Sequence, residues 1–322
     1  MQKQYLQQLK DVRKRARSIN RFASADLMNA YTFYSANLTH FLPCIQPAAH
    51  LKLFRQTYQH LWMSHMDQAY FGGDFPIAIQ GWDQSLADKL RERPGIISTL
   101  HTGSYRLVNY LLAQAGIPYA LLVSSRVMQE QAPEIRAVLE RLSPGNPIPL
   151  IEAEQPSAAL SILRTLRKGT NILAYLDGFE GTALADRGKL ARVSFLGQHL
   201  WVRKGIPYLS HRAGVPLYPV LNFRNDDGSI QVFHGQTLEP GGFSSDRYID
   251  RSLQYQFDFL GALLIHYPEQ WEGWLSLHEH VSPAHCHRRA GSLRKRFYGL
   301  LRLNDRRYLM NKRTYELTPI RP

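Results

Sequence analysis

Between residues 94 and 220 short apolar segments alternate with longer helix-like ones, and this alternation constrains the fold more than any other feature. Ile96-Ile97-Ser98-Thr99-Leu100, Tyr119–Val123, Pro149–Ile151, Asn171–Leu176 and Leu217–Val220 read as strands. Turn signals precede several of them: Pro94-Gly95, Gly116-Ile117-Pro118 and Lys168-Gly169. Helices are expected over Tyr105–Ala115, Pro133–Leu142 and Ala158–Arg167, and around Tyr208–Ala213, where Gly214 ends the run. Strands alternating with helices indicate an α/β fold: a mixed, largely parallel central sheet flanked by helices. Residues 23–70 add an N-terminal helical part, with Leu27, Ala30, Tyr31, Tyr34 and Leu38 at helical spacing. A second helix is expected from about Ala49 to Ala69. In open sheets of this kind ligands bind at the carboxyl ends of the strands.

Charge divides the chain into three parts. The net charge is +13. Residues 1–22 carry seven Lys/Arg against Asp11, and residues 281–322 carry eleven against Asp305 and Glu316. The body, 23–280, is close to neutral, so one α/β domain is expected there, between a basic amphipathic N-terminal segment and a basic C-terminal tail. Leu6, Leu9, Val12 and Ile19 interleave with the N-terminal charges, which suits a helix lying on an anionic membrane surface. Solvated faces or nucleic acid are the alternatives, and no zinc-finger, RNP or basic-zipper pattern favours nucleic acid. No apolar run reaches the ~18 residues of a membrane span, and no apolar stretch follows the N-terminal charges as a secretory signal requires. Two cysteines, Cys44 and Cys286, make no disulfide framework and suggest a reducing compartment. The expected location is cytoplasmic, peripheral on the inner face of the cytoplasmic membrane.

Three blocks could carry chemistry. His101 follows the first strand directly, in His101-Thr102-Gly103-Ser104-Tyr105-Arg106, where an α/β sheet presents active-site groups. Asp177 ends another apolar strand, in Leu176-Asp177-Gly178-Phe179-Glu180-Gly181; an Asp-Gly turn is its plain structural reading. The third block runs from Val193-Ser194-Phe195-Leu196-Gly197 through Gly205 to Arg212-Ala213-Gly214-Val215-Pro216 and Pro219.

In this order the blocks resemble the lipid A late acyltransferases, a branch of the lysophospholipid acyltransferase superfamily. That family has a strand ending in His-x4-Asp/Glu, then an apolar strand ending in Pro-Asp-Gln/His, then Phe-Phe-Gly, and a closing Pro-Glu-Gln-Trp followed by histidine. His101 and Gly103, Leu176 and Asp177, Phe195-Leu196-Gly197, and Pro268-Glu269-Gln270-Trp271 with His278 match them across roughly residues 20–280. The resemblance implies a glycerolipid acyltransferase-like sheet and transfer of a fatty acyl group from a thioester, acyl carrier protein or acyl-CoA, with no other cofactor. The acceptor would be a hydroxyl or amine of a lipid-like or carrier-tethered molecule. His101 would be the general base. Asp177 would position the acceptor or replace the motif acid. Arg141, best placed to match the family's arginine, would stabilise the oxyanion together with backbone N–H groups near Gly103 or Gly178. Arg106, Glu180 and Arg212 complete the expected substrate-binding set.

Two departures stand out. The motif's acid falls on Arg106, a cation where the family's carboxylate orients the histidine. Asp177 or Glu180 would then have to reach His101 from a neighbouring strand end. Arg106 either marks a degraded site or grips a substrate phosphate or carboxylate. The alternative reading is an impaired family member that binds acyl chains or carrier protein without turnover. The family's N-terminal membrane span is the second absence, and the basic segment would replace it. Gly-x-Ser-x-Gly is lacking, so no serine elbow is expected. The spacing of His278, His280, His285, Cys286 and His287 fits no standard zinc site, so no metal is expected.

Overall fold

A computed structural model describes residues 2–71, 76–178, 187–281, 297–304 and 306–320. Three helices come first: α1 (Gln2–Arg17), α2 (Ala25–Phe41) and α3 (His50–Gln68). Next follow β1 (Ile79–Gln80), α4 (Gln84–Glu92), β2 (Ile96–Thr99), α5 (Leu107–Gln114), β3 (Tyr119–Val123), α6 (Ser125–Leu142), β4 (Leu150–Glu152), α7 (Ala158–Arg167) and β5 (Asn171–Tyr175). A hairpin of β6 (Leu190–Phe195) and β7 (Gln198–Arg203) leads into α8 (Gly205–Ala213), β8 (Leu217–Arg224), β9 (Ile230–His234) and α9 (Ser245–Leu264). The chain ends in β10 (Tyr298–Leu303), β11 (Arg306–Asn311) and β12 (Leu317–Pro319).

The central sheet has the order β1-β9-β8-β2-β5-β3-β4. The strands from β8 to β4 are parallel, β9 runs antiparallel to β8, and β1 pairs parallel with β9. The expected α/β class and largely parallel sheet are therefore present. Every residue of β2 is buried, as a strand covered on both faces requires. Its side chains alternate between two cores. Ile97, with Leu173 of β5 and Leu121 of β3, packs against α4, α5 and α6. Ile96, with Ile172 and Ala120, packs against α7 and α8.

Connectivity explains where a crevice opens. From β2 the chain passes through α5 to β3, beyond β5; from β5 it returns through the hairpin and α8 to β8, on the other flank of β2. Adjacent strands thus send their connections in opposite directions, and the gap at their carboxyl ends is the ligand position of open α/β sheets. A third core roofs this end. It joins Leu100, Leu176, Leu221 and Phe223 to Tyr34, Leu38 and Phe41 of α2, to the hairpin and α9, and to Trp271 and Trp274.

Several expectations are corrected. Helix α6 starts at Ser125 rather than Pro133, because the Ser124 hydroxyl accepts from Val127 N–H at 3.2 Å and caps it eight residues earlier. Pro133 stands inside the helix. The basic N-terminal segment does not keep an apolar face for a membrane. Tyr5 and Leu9 are buried against Met63 of α3, Ile19 is buried, and only Leu6, 47% exposed, of the interleaved apolar residues faces solvent. Residues 298–319 are not a tail: β10 to β12 form an antiparallel sheet whose Leu301 and Met310 pack on Ala36 of α2. Thr32 and Asn29 of α2 donate to the carbonyls of Leu300 and Arg302, both at 2.8 Å. Among the described residues no helix is long and apolar enough to cross a membrane.

Candidate active site

Strand β2 delivers His101 and strand β5 delivers Asp177 to the same level of the sheet. The strands are in register through Thr99 and Tyr175, and Leu176 N–H donates to the Thr99 carbonyl at 2.9 Å. Two residues further on, the side chains meet: His101 Nδ1 lies 2.8 Å from Asp177 Oδ1. The same carboxylate accepts the His101 backbone N–H at 2.9 Å and the Trp271 indole N–H at 2.7 Å, both on Oδ2. Asp177 therefore pairs with His101 from the end of a neighbouring strand.

This geometry fixes the proton on the imidazole. An ionised carboxylate only accepts hydrogen bonds, so Nδ1 must donate to Asp177, and in the neutral ring Nε2 is left as the basic nitrogen. The His101 side chain is 28% exposed and that of Asp177 only 1%. Burial acts on both groups and is the largest influence on each. For Asp177 the His101 charge and the hydrogen bonds from His101 and Trp271 outweigh it and hold the carboxyl below its ordinary value. For His101 burial pulls downward, but the charge and hydrogen bond of Asp177, with help from Glu272, raise the imidazole above its ordinary value against Arg106. The ring is held on both sides. Tyr175 stacks on it at 4.7 Å between centroids, and Tyr105 meets it edge-on at 4.6 Å.

The loop carrying His101 is tied to the segment around Trp271, so the first and last sequence blocks become neighbours. Thr102 and Trp271 form an antiparallel bridge. Glu272 N–H donates to the His101 carbonyl at 3.0 Å, and Gly103 N–H to the Gln270 carbonyl at 2.9 Å. Gly103 has φ +53°, and a Cβ there would lie 2.4 Å from the Asn222 carbonyl oxygen. Below it, Ser104 N–H donates to Asn222 Oδ1 at 2.9 Å and Ser104 Oγ to Asp67 Oδ2 at 2.6 Å. Asp67, fully buried, also pairs with Arg224 and accepts from the Tyr5 hydroxyl at 2.7 Å. His101 thus rests on a floor built from α1, α3 and β8.

Other expected residues lie elsewhere. Arg141 is exposed in the last turn of α6, the end away from where β3 delivers that helix, and its guanidinium donates to the Gln68 carbonyl at 3.4 Å. Arg212 is exposed in the last turn of α8, just before β8 enters the sheet at the amino edge. Among the described residues neither guanidinium makes a hydrogen bond to His101 or Asp177: Arg212 precedes the amino end of β8, and Arg141 reaches the backbone beside Asp67. Gly103 N–H is occupied by Gln270, so it is no oxyanion donor; Gly178 N–H, beside Asp177, has no acceptor among the described residues. Glu180 lies outside the described residues, as do His285, Cys286 and His287. Cys44 is free and exposed. His278 stacks on Phe33 at 3.8 Å, and burial, with the charge of His280, lowers it to about 4. Among the described residues no group of three or more His, Cys, Asp or Glu could hold a metal ion.

Sequence reasoning assigned no role to Trp271, Tyr105, Tyr175 or Glu272. Trp271 stood within the closing motif, but its indole N–H on Asp177 bridges 94 positions of chain. Tyr175 is the last residue of β5, two before Asp177, so the strand end that delivers the carboxylate also delivers the ring that stacks on His101. No family model and no curated protein matches the chain.

Proposed function

We propose that the chain is an acyltransferase that moves a fatty acyl group from a thioester to a hydroxyl or amine, with His101 as general base. The observation that carries this reading is the His101–Asp177 pair: a raised, partly exposed imidazole with Nδ1 committed to a buried carboxylate, which leaves Nε2 as the basic nitrogen. Nε2 takes the acceptor's proton as its oxygen or nitrogen attacks the thioester carbonyl. The tetrahedral oxyanion collapses, the carbon–sulfur bond breaks, and the imidazolium returns the proton to the leaving thiolate. Products are the acylated acceptor and a free thiol. Gly178 N–H, next to Asp177 and without an acceptor among the described residues, would serve as the backbone donor to the oxyanion. No acyl-enzyme is needed.

The order of the sequence blocks and their meeting in space support the likeness to lipid A late acyltransferases, and with it an acyl carrier protein or acyl-CoA donor. Exposed Arg306 and Arg307, with the charged outer side of α1, suit an acidic carrier or an anionic membrane surface on the cytoplasmic side. One observation favours the second reading, an impaired family member that binds without turnover: a cation, Arg106, acts on His101 where the family places an acid.

Thiol release from acyl carrier protein and acyl-CoA thioesters tests the proposal, with and without a lipid extract, comparing wild type with His101→Ala. Release that depends on both extract and His101 is expected. Full release by His101→Ala refutes the mechanism. A bound but unconsumed donor establishes the binding reading instead.

A further inference from the structure

Arg106 and Glu272 bring opposite charges to His101, and neither is answered among the described residues. Among the described residues neither side chain makes an ion pair or a hydrogen bond, although Arg106 Nη1 and Glu272 Oε2 are both shielded from solvent. The Arg106 guanidinium sits 4.6 Å over the Tyr105 ring, and that ring abuts His101. This cation–π contact holds the guanidinium over the ring while Nη1 has no hydrogen-bond acceptor among the described residues. Folded proteins rarely leave such a group without an acceptor. Its planar fork of donors matches a carboxylate or a phosphate better than any neutral group. Arg224, the other cation near this loop, is already paired with Asp67 and has no such vacancy.

We propose that Arg106 selects the acceptor: the molecule that gives its hydroxyl or amine proton to His101 carries a carboxylate or phosphate beside that nucleophile, and the Arg106 guanidinium holds it. The proposal rests on the acyl-transfer reading of His101 and names its substrate class. Glu272 repels the same anion, so the acceptor enters with its anion toward Arg106. The acid of the related enzymes has thus been exchanged for a binding group, while Asp177 serves the histidine.

Acceptor pairs that differ in one charge provide the test: glycine against glycinamide, and glycerol 3-phosphate against glycerol, each with an acyl thioester and the full chain. A preference of roughly 30-fold in kcat/KM for the anionic member is expected from charge-assisted hydrogen bonds. Arg106→Gln should bring the ratio within about threefold by raising KM. The amino-acid and phosphate arms show which anion is held. Equal use of both members by wild type, or a preference that survives Arg106→Gln, overturns the proposal while leaving acyl transfer standing. An oxyanion role for Arg106 would lower kcat for both members alike and keep the ratio.

A second readout needs no turnover. The His101 ring is titrated by NMR with inorganic phosphate or acetate present. A held anion moves the midpoint upward in wild type and not in Arg106→Gln. The variant alone should titrate higher than wild type, since a like charge is gone, and that rise shows that it is folded. A shift without any thiol release would retain the anion site and refute the acyl-transfer reading. No shift in wild type, with no charge preference, refutes the inference.

Discussion

Replacing Asp177 by Asn should leave the protein folded and nearly inactive, and the geometry says why. The carboxylate faces three donors: His101 Nδ1 at 2.8 Å on Oδ1, and His101 N–H and Trp271 Nε1–H at 2.9 and 2.7 Å on Oδ2. An amide has one oxygen. If that oxygen occupied the Oδ1 position, the NH2 would oppose two fixed N–H donors. If it occupies the Oδ2 position, both fixed donors keep their acceptor and the NH2 meets only the imidazole. The second arrangement wins because a histidine can change tautomer and the other two donors cannot. Nδ1 then accepts, the proton moves to Nε2, and the nitrogen facing the acceptor can no longer take a proton. A base in the wrong tautomer, without its carboxylate, costs about 10³–10⁴ in rate. Stability should change by about 2 kcal/mol, one charged hydrogen bond lost, offset by relief from burying a charge. Thiol release gives the rate, urea unfolding the stability, and the 15N shifts of the His101 ring the tautomer. The acid limb of the wild-type rate profile should lie above the ordinary imidazole value, and it should fall to lower pH in the variant. Wild-type rates from a variant whose Nε2 carries the proton would refute the general-base assignment.

Other substitutions test the scaffold. Gly103→Ala should destabilise the fold by about 3 kcal/mol or more and lower activity, since its Cβ meets the Asn222 carbonyl oxygen at 2.4 Å in a left-handed conformation; an unchanged urea midpoint would contradict the tight approach. Stability should also fall on mild acidification. Burial, with the charges of Arg224 and Arg13, lowers His60 to about 3. Burial, with Lys312 and against the Ile45 carbonyl, lowers His50 to about 4. Both stay neutral in the folded protein while the unfolded chain takes up protons below about pH 6.5, so each removes up to about 1.4 kcal/mol per pH unit from there down. His101 runs the opposite way: its raised value contributes stability below the unfolded pKa, which is lost as pH climbs through the folded one. Urea midpoints at pH 7.5 and 5.5 measure the balance, and a flat response in wild type would show that His50 and His60 are not held neutral.

The central strands were legible because each is a short, nearly unbroken apolar run bounded by glycine or proline. The site was legible to the same depth. His101 and Asp177 each follow such a run, and a parallel sheet brings the ends of its strands to one edge whatever their order. Which strands are adjacent is decided by the crossovers, and no local pattern encodes that, so Asp177 and Glu180 stood as equal claimants for His101. Arg141 and Arg212 show the same limit: both lie in last turns of helices, and what such a turn ends beside follows from topology, which put Arg141 on the backbone next to Asp67. The C-terminal strands were hidden by charge. Arg302, Arg306, Arg307, Lys312 and Arg313 crowd a segment whose buried positions are few, Leu301 and Met310 among them, so it read as a solvated tail. Helix α9 carries a clear stripe, Ile249, Leu253, Phe257, Leu260 and Leu264; helical periodicity encodes it, and only the absence of a chemical motif left it unread.

The tie from Tyr5 to Asp67 makes two uses of helix α1 mutually exclusive. Embedding its apolar side in a bilayer would require Tyr5 and Leu9 to leave α3. Asp67 Oδ1 would lose the hydroxyl that donates to it, water would reach a buried Asp–Arg pair, and the hydroxyl of Ser104, three residues from His101, would lose its firm anchor. A molecule gripping a membrane in that way would loosen the floor under its own His101. If α1 meets an anionic surface with this packing intact, its outward-facing lysines and arginines make the contact, one that salt can dissolve, so that this helix would exchange between surface and solution instead of residing in the lipid.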